Sequence, residues 1–146
     1  MKKLIISACL LGEPCRYDGN SKPCESVKLL EKDYLLLSVC PECMGGLPTP
    51  RPPAELQADG RVVNREGIDV TACYRTGAEA VLEIAKREAC YLALLKEKSP
   101  SCGKGKIYDG SFTGRLIRGN GVCAELLMGN GVRVFGEHEI EELLRL

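Results

Sequence analysis

The sequence predicts an α/β fold, a three-layer Rossmann-like domain whose central sheet is mainly parallel. Continuous apolar runs, of the type that forms strands buried on both faces, recur along the chain. Stretches with helical spacing of apolar residues separate these runs, which favours right-handed crossovers and parallel strand pairs. Three of the runs are each followed by a cysteine. Cysteines are therefore expected at the carboxyl ends of the strands.

Four runs are predicted strands of the central sheet and four stretches are predicted helices. The strands are Leu4–Ala8, Tyr34–Val39, Cys90–Leu95 and Val132–Phe135. The helices are Glu25–Lys32, Thr71–Glu88, Gly121–Met128 and Glu137–Arg145. Thr71 is the predicted N-cap of the longest helix, and glycines at 129 and 131 are expected to end the third helix.

Two further segments are predicted to lie outside this regular alternation. Residues 41–53 contain five prolines and the pair Gly45-Gly46, which predicts an irregular loop after the second strand. Residues 61–63 and 68–70 flank a four-residue turn and predict a small hairpin outside the main sheet.

Length and charge limit the function. The 146 residues fit a single domain, 1–146, large enough to fold without disulfides. Twenty basic and twenty acidic residues cancel, and no basic run forms a stripe, so we expect neither non-specific nucleic-acid binding nor binding to an anionic membrane. The expected partner is a small molecule.

The nine cysteines are expected to be reduced thiols. The apolar stretch that follows Met1-Lys2-Lys3 is too short for a secretory signal, which needs about 7 to 15 apolar residues, and no segment reaches the roughly 20 residues of a membrane span. These observations predict a cytoplasmic protein. In that compartment a cysteine-rich sequence indicates metal binding or catalysis rather than a disulfide framework.

Cys9, Cys40 and Cys102 are the strongest candidate ligands. Each follows a predicted strand, and in parallel sheets ligands bind outside the carboxyl ends of the strands. Three thiols that converge there predict a metal or iron–sulfur site. The alternative interpretation is that they are three small buried apolar side chains.

The remaining cysteines divide into open cases and packing residues. The motif Cys40-Pro41-Glu42-Cys43 is compatible with a redox dithiol or with half of a zinc knuckle, and Cys15 and Cys43 stay open as a fourth ligand, a resolving thiol or neither. Cys73, Cys90 and Cys123 are expected in the core, and Cys24 at the surface.

Acid–base chemistry is expected from a carboxylate. The single histidine, His138, lies in an acidic helical stretch and is a poor candidate, whereas Glu42 lies beside a candidate ligand. Asp18 and Asp109 are the alternative bases. Three basic residues, Arg16, Arg51 and Lys98, are candidates to bind a phosphate, although loop cations are more often solvated.

Several motifs, in their order along the chain, closely resemble the thiouracil desulfidase family. They are Ser7-Ala8-Cys9-Leu10-Leu11-Gly12, Cys15-Arg16-Tyr17-Asp18-Gly19, Cys40-Pro41-Glu42, Gly45-Gly46-Leu47-Pro48-Thr49-Pro50-Arg51, Lys98-Ser99-Pro100-Ser101-Cys102-Gly103 and Tyr108-Asp109-Gly110-Ser111-Phe112. The resemblance runs from Cys9 to about Val134. Cys43 departs from the family pattern.

The resemblance implies a [4Fe-4S] cluster held by Cys9, Cys40 and Cys102 with one iron left open. It also implies that a soft thiocarbonyl sulfur binds that iron, that Glu42 activates a water, and that Ser99 orients the water or relays a proton. The implied reaction, without redox change, converts C=S and water into C=O and hydrogen sulfide. The implied substrate is a small thiolated pyrimidine, as a base, nucleoside or nucleotide.

Two other functions remain compatible with the residues alone. One is a non-catalytic regulatory module in which the cysteines hold zinc or a cluster. The other is a thiol redox protein that uses Cys40 and Cys43.

Overall fold

The computed structural model describes residues 1–146 and contains eight strands and five α-helices. The strands are β1 (Lys2–Ser7), β2 (Tyr34–Val39), β3 (Ala54–Leu56), β4 (Val62–Asn64), β5 (Leu92–Leu94), β6 (Lys106–Tyr108), β7 (Leu116–Arg118) and β8 (Arg133–Phe135). The helices are α1 (Val27–Leu30), α2 (Pro41–Met44), α3 (Thr71–Arg87), α4 (Val122–Gly129) and α5 (Ile140–Leu144). Ala8–Leu11 and Glu137–Glu139 form short 3₁₀ segments.

The central sheet has the strand order β2-β1-β5-β8, and every neighbouring pair is parallel. This confirms the predicted α/β fold with its parallel sheet. The chain adds β2 on one side of β1 and then crosses to add β5 on the other side. The strand order therefore reverses at β1, and the crevice outside the carboxyl ends of β1 and β5 is the place where such sheets bind ligands.

Helices cover both faces of the sheet, because successive strand residues point to opposite sides. On one face, Ile5 of β1 belongs to a buried cluster with residues of α3 and α4 such as Val81 and Leu127. On the other face, Leu4 and Ile6 belong to a second cluster with residues of α1 and α5. The predicted three layers are confirmed. No helix is long and apolar enough to cross a membrane.

The predicted hairpin between residues 61–63 and 68–70 is present outside the main sheet, but β4 has a second partner that was not predicted. Strand β4 pairs antiparallel with β3, which lies just after the proline-rich stretch. The turn between them contains Gly60 at φ +90°, a backbone conformation that glycine adopts without steric cost. Residues 68–70 pair with β4 through the Val63–Asp69 bridge and two backbone hydrogen bonds, from the Val70 N–H to the Val62 carbonyl oxygen and from the Asn64 N–H to the Ile68 carbonyl oxygen. The Asn64 side chain accepts the N–H groups of residues 66 and 68 and closes the turn.

The β6–β7 hairpin was not predicted at all. No strand is predicted between Cys102 and the helix that begins at Gly121. The three residues of β7, Leu116-Ile117-Arg118, do not alternate between apolar and polar, so the sequence pattern gives no sign of a strand here. All three are exposed in the structure.

The predicted N-cap of the long helix is also wrong. Helix α3 begins at Thr71, and Val70 is the N-cap. The Thr71 hydroxyl donates to Asp69 at 2.5 Å and accepts the N–H of Val62 at 2.9 Å. These bonds tie the start of the helix to β4 in place of a cap.

Helix α2 forms where only an irregular loop was predicted. Pro41 occupies its first turn, a position at which proline is tolerated because the N–H there has no helical partner. The helix lies directly against α3: a Cβ at Gly77 would come within 1.8 Å of the Pro41 carbonyl oxygen, and one at Gly45 within 1.9 Å of the Cys73 carbonyl oxygen. Two glycines thus permit the contact that places α2 beside the sheet.

Candidate active site at the carboxyl ends of the strands

A cavity of about 690 Å³ opens at the carboxyl ends of β1, β2 and β5. Its lining includes the five predicted site residues, which are Cys9, Cys40, Glu42, Ser99 and Cys102. Residues separated by up to 93 positions in the sequence therefore face one space. The topology produces this arrangement because the loops after three adjacent parallel strands meet at one edge of the sheet.

Cys9 lies in the 3₁₀ turn that follows β1. The turn ends at Gly12, whose φ of +96° requires glycine, and the Gly12 N–H bonds back to the Cys9 carbonyl oxygen. The Cys9 side chain is buried, and this burial, with the nearby Cys15 as a smaller cause, raises the pKa of its thiol to about 12. As a free thiol it is protonated at neutral pH.

Cys40 is the N-cap of α2, immediately after β2. Its sulfur donates to the Cys15 carbonyl oxygen at 3.8 Å and lies 3.3 Å from the sulfur of Cys43. Burial, followed by the negative charge of Glu42, raises the pKa of the Cys40 thiol. Cys15 also lines the cavity, whereas Cys43 is exposed and does not.

Cys102 lies in a tight loop that Ser99 organises. The Ser99 hydroxyl oxygen accepts the N–H groups of Ser101 and Cys102, each at 3.0 Å. The loop packs closely on the start of α4, where a Cβ at Gly121 would lie 2.5 Å from the Ser101 backbone. Cys102 is 4% exposed, and burial raises the pKa of its thiol well above the ordinary value.

Glu42 faces the cavity from α2 and is paired with Arg51. Arg51 Nη2 lies 3.3 Å from Glu42 Oε2, and the side chains are only 4% and 15% exposed. The guanidinium also donates to the carbonyl oxygens of Cys15 and Pro48 and to the Thr49 hydroxyl. Of the two possibilities left open for Arg51, the solvated loop cation is excluded, because this side chain is buried and joins three segments around the carboxylate.

Basic side chains outnumber acidic ones in the cavity lining. Six lysines and arginines line it against three glutamates; the basic residues are Arg16, Lys22, Arg51, Arg65, Lys96 and Lys98, and the acidic ones are Glu42, Glu55 and Glu97. An excess of positive charge favours the thiolate form of nearby cysteines and suits a group held by three thiolates.

Other residues considered from sequence lie elsewhere. Asp18, Asp109 and His138 do not line the cavity. His138 is 70% exposed, as expected, but its ring nitrogen Nδ1 contacts Glu97, so the helix face that carries it is not merely solvated. No three histidine, cysteine, aspartate or glutamate side chains are grouped so as to hold a single metal ion.

The four remaining cysteines lie away from the cavity. Cys90 and Cys123 are buried in the core, as predicted. Cys73, expected in the core, is only partly buried on α3, and Cys24 is partly buried rather than fully at the surface.

Sequence reasoning missed three residues of the cavity wall that the hairpins supply. Glu55 comes from β3, Arg65 follows β4, and Phe112 lies between β6 and β7. A signal was present for Phe112, which ends one of the resembling motifs. Glu55 carried no signal, because a carboxylate on a short strand is usually solvated.

Comparisons with known proteins show the family of the chain. The model of the family described as 2-thiouracil desulfurase matches residues 4–139. The uncharacterized protein YbbK of Bacillus subtilis (strain 168) is 40% identical over 150 residues, which cover 97% of this chain and 99% of that protein. The solved structure of the [4Fe-4S]-dependent thiouracil desulfidase TudS is 47% identical, with a TM-score of 0.93, and the match covers 99% of this chain and 96% of that chain. The chain belongs to the 2-thiouracil desulfurase family.

Proposed function

We propose that the chain is a [4Fe-4S]-dependent desulfidase that replaces the sulfur of a thiolated pyrimidine with oxygen. The observation that carries this proposal is the cavity at three strand ends, which brings Cys9, Cys40 and Cys102 together with Glu42. The likeness to TudS, over almost the whole of both chains, supports the same chemistry.

Cys9, Cys40 and Cys102 would hold the cluster. The donor set fits, because thiolates are the usual ligands of iron–sulfur clusters and the lining is rich in basic side chains. The buried thiols must lose their protons on binding, as thiol ligands of metals do. When bound by three cysteines, a [4Fe-4S] cluster supplies an iron with an open position for the soft sulfur of a thiocarbonyl.

Glu42 acts as the general base. Its carboxylate accepts a proton from a water as that water attacks the carbon that carries the sulfur. Arg51 binds Oε2 and thereby orients the carboxylate, while Oε1 has no partner in the protein and is available to the water. In the balanced reaction, C=S and water give C=O and hydrogen sulfide, with no change in oxidation state.

Ser99 has a structural and a chemical task. Its oxygen accepts two backbone N–H groups and so fixes the loop of Cys102. A hydroxyl that accepts twice still has its own proton to donate. We assign that proton to the relay between Glu42 and the departing sulfur.

The substrate we propose is a small thiopyrimidine base, nucleoside or nucleotide, and the reaction is placed in the cytoplasm, where free thiols remain reduced. The cavity of about 690 Å³ lies within the range of small-molecule sites.

The direct test is anaerobic reconstitution with iron and sulfide, followed by incubation with 2-thiouracil and with 4-thiouracil. Wild-type protein is expected to release uracil and hydrogen sulfide in equal amounts. Cys9→Ser, Cys40→Ser and Cys102→Ser should each lose both cluster and activity, because oxygen is a harder ligand than sulfur. Cys24→Ser, outside the cavity, is the matched control. Full activity in the three ligand variants, or no sulfide release by reconstituted wild type, would contradict the proposal.

A second candidate function, thiol redox chemistry, rests on the 3.3 Å between the sulfurs of Cys40 and Cys43. Cys43→Ser separates the two functions. A desulfidase with Cys40 as ligand keeps its cluster and turnover in this variant. A dithiol protein loses its activity, and in that case the intact wild type would reduce a small disulfide such as glutathione disulfide while showing no desulfuration.

A further inference from the structure

We infer that Phe112 is the stacking surface for the pyrimidine ring of the substrate, and that Glu55 is the positioning residue that holds it there. The inference rests on the proposed function, since it concerns the same cavity. Phe112 lies on the loop between β6 and β7, and it lines the same cavity as Cys9 and Glu42. An aromatic residue in the wall of the cavity that the candidate ligands line is where a flat heterocycle would lie.

Glu55 fixes the backbone of this loop. The residue is 9% exposed, and its Oε1 accepts the N–H of Gly110 at 2.9 Å and the N–H of Phe112 at 3.1 Å. Hydrogen bonds to an ionised carboxylate are stronger than neutral ones. Two of them, made to a rigid strand, hold the loop against β3.

The backbone of Phe112 adopts a conformation that a bulky residue rarely takes. Its φ is +57°, whereas Gly110 and Gly114 on either side take positive φ at no steric cost. Such a conformation is energetically unfavourable and persists only where the surroundings enforce it. Here the Glu55 hydrogen bonds enforce it, and the result is a ring held at the cavity wall.

Arg65 further restrains the ring. Its guanidinium carbon lies 5.7 Å from the Phe112 ring centroid, within cation–π range, and Arg65 also lines the cavity. Every pyrimidine has a π face that stacks on an aromatic ring, with or without sulfur. Phe112 would therefore bind the ring of substrate and product alike.

The other aromatic side chains of the lining are less suited to this task. They are Tyr17, Tyr74 and Tyr108. Tyr17 is 40% exposed, and Tyr74 is only 3% exposed, which leaves almost none of its ring open to a ligand. No buried side chain bonds to the backbone of Tyr108 as Glu55 does to that of Phe112. Single alanine variants of Tyr17 and Tyr108 serve as comparisons.

The test measures ring binding separately from turnover. Uracil, the sulfur-free product, is titrated calorimetrically into the reconstituted protein, and turnover of 4-thiouracil is measured in parallel. Base stacking on an aromatic residue corresponds to about a 5- to 150-fold change in affinity, so Phe112→Ala should weaken uracil binding and raise KM by that factor. Phe112→Tyr should keep both the affinity for uracil and the KM close to the wild-type values. Tyr91→Ala, an exposed aromatic outside the cavity, should change neither.

Glu55→Ala should reproduce the Phe112→Ala defect in KM, and it should leave kcat and iron content close to wild type. A purely structural role for Glu55 would instead lower the iron content or kcat.

The inference is overturned if wild type does not bind uracil, if Phe112→Ala binds it within twofold of wild type, or if only Tyr17→Ala or Tyr108→Ala loses binding. Phe112-dependent binding of uracil without sulfide release would refute the proposed function alone, and sulfide release with an unchanged KM in Phe112→Ala would refute the stacking role alone.

Discussion

At the scale of single residues, the pair formed by Glu42 and Arg51 is the centre of the proposed chemistry. A carboxylate that takes a proton from water needs a fixed orientation, and the buried guanidinium provides it through one oxygen at 3.3 Å. The same guanidinium binds the Cys15 carbonyl oxygen, to which the Cys40 thiol also donates. Arg51 therefore holds the proposed base directly and one proposed ligand indirectly, through the Cys15 carbonyl oxygen.

Glu42→Gln should retain the cluster and lose most turnover, because the amide has nearly the same shape but takes no proton from water. A positioned general base contributes about 10² to 10⁴ in rate. Single-turnover rates at matched iron content measure the effect, with Glu79→Gln on the exposed face of α3 as control. Ser99→Ala should cost less, since solvent partly replaces a relaying hydroxyl. A wild-type rate in Glu42→Gln would show that this carboxylate does not activate the water.

The contact between His138 and Glu97 predicts a pH-dependent stability. The hydrogen bond to Glu97 raises the pKa of His138 in the folded protein. The protonated histidine therefore stabilises the fold fully below the pKa of the unfolded chain, about 6.5, and this stabilisation is lost as the pH rises through the raised pKa of the folded protein. Burial alone would raise the pKa of Glu97, but the hydrogen bonds from His138 outweigh burial and lower that pKa. The stabilisation by the ionised Glu97 carboxylate is therefore lost only as the pH falls through this lowered pKa.

The measurement is thermal unfolding of wild type and His138→Gln at pH 5.5 and pH 8.5. Because the His138 side chain is 70% exposed, the difference at pH 5.5 should stay below about 1 kcal/mol, or roughly 2–4 °C in Tm, and it should shrink at pH 8.5. An equal difference at both pH values would show that the histidine charge contributes nothing.

At the scale of elements, the packing of α2 on α3 positions two of the five proposed site residues. Cys40 caps α2 and Glu42 lies within it, and the short helix contacts α3 through Gly45 and Gly77. A shift of this helix would move a ligand and the base together.

Gly77→Ala tests this dependence. The added Cβ would meet the Pro41 carbonyl oxygen at 1.8 Å, a backbone atom that no rotamer change can relieve. We expect a loss of about 1–3 kcal/mol in the free energy of unfolding, together with reduced iron uptake. Gly129→Ala in α4 is the matched control, because no atom lies within 4 Å of the added Cβ and alanine is the better helix former. Normal iron uptake in Gly77→Ala would show that α2 tolerates displacement.

Some elements of the fold could be predicted from the sequence alone and others could not. The sheet strands and α3 were predictable, because continuous apolar runs and a long periodic helix carry strong local signals. The short helix α2 and the β6–β7 hairpin were not, because tertiary contacts and not local patterns hold them. The candidate cysteines, Glu42 and Ser99 could be predicted from local motifs and strand ends. The burial of Arg51 and the proposed role of Glu55 could not, because they depend on segments that meet only in the folded chain.

At the scale of the whole molecule, the reversal of strand order beside β1 explains why one cavity collects residues from the entire chain. The parallel sheet directs the loops after β1, β2 and β5 to one edge, and the two small hairpins add a further wall to the space between them. The sheet supplies the proposed ligands, and the hairpins supply the proposed surface for the substrate ring.

The most direct test of the central claim is an anomalous difference map at the iron edge, from crystals of the anaerobically reconstituted protein. We predict a single iron cluster in the cavity, bonded to the sulfurs of Cys9, Cys40 and Cys102 and to neither Cys15 nor Cys43. Iron outside the cavity, or bonded to Cys15 or Cys43 in place of one of the three, would contradict the account.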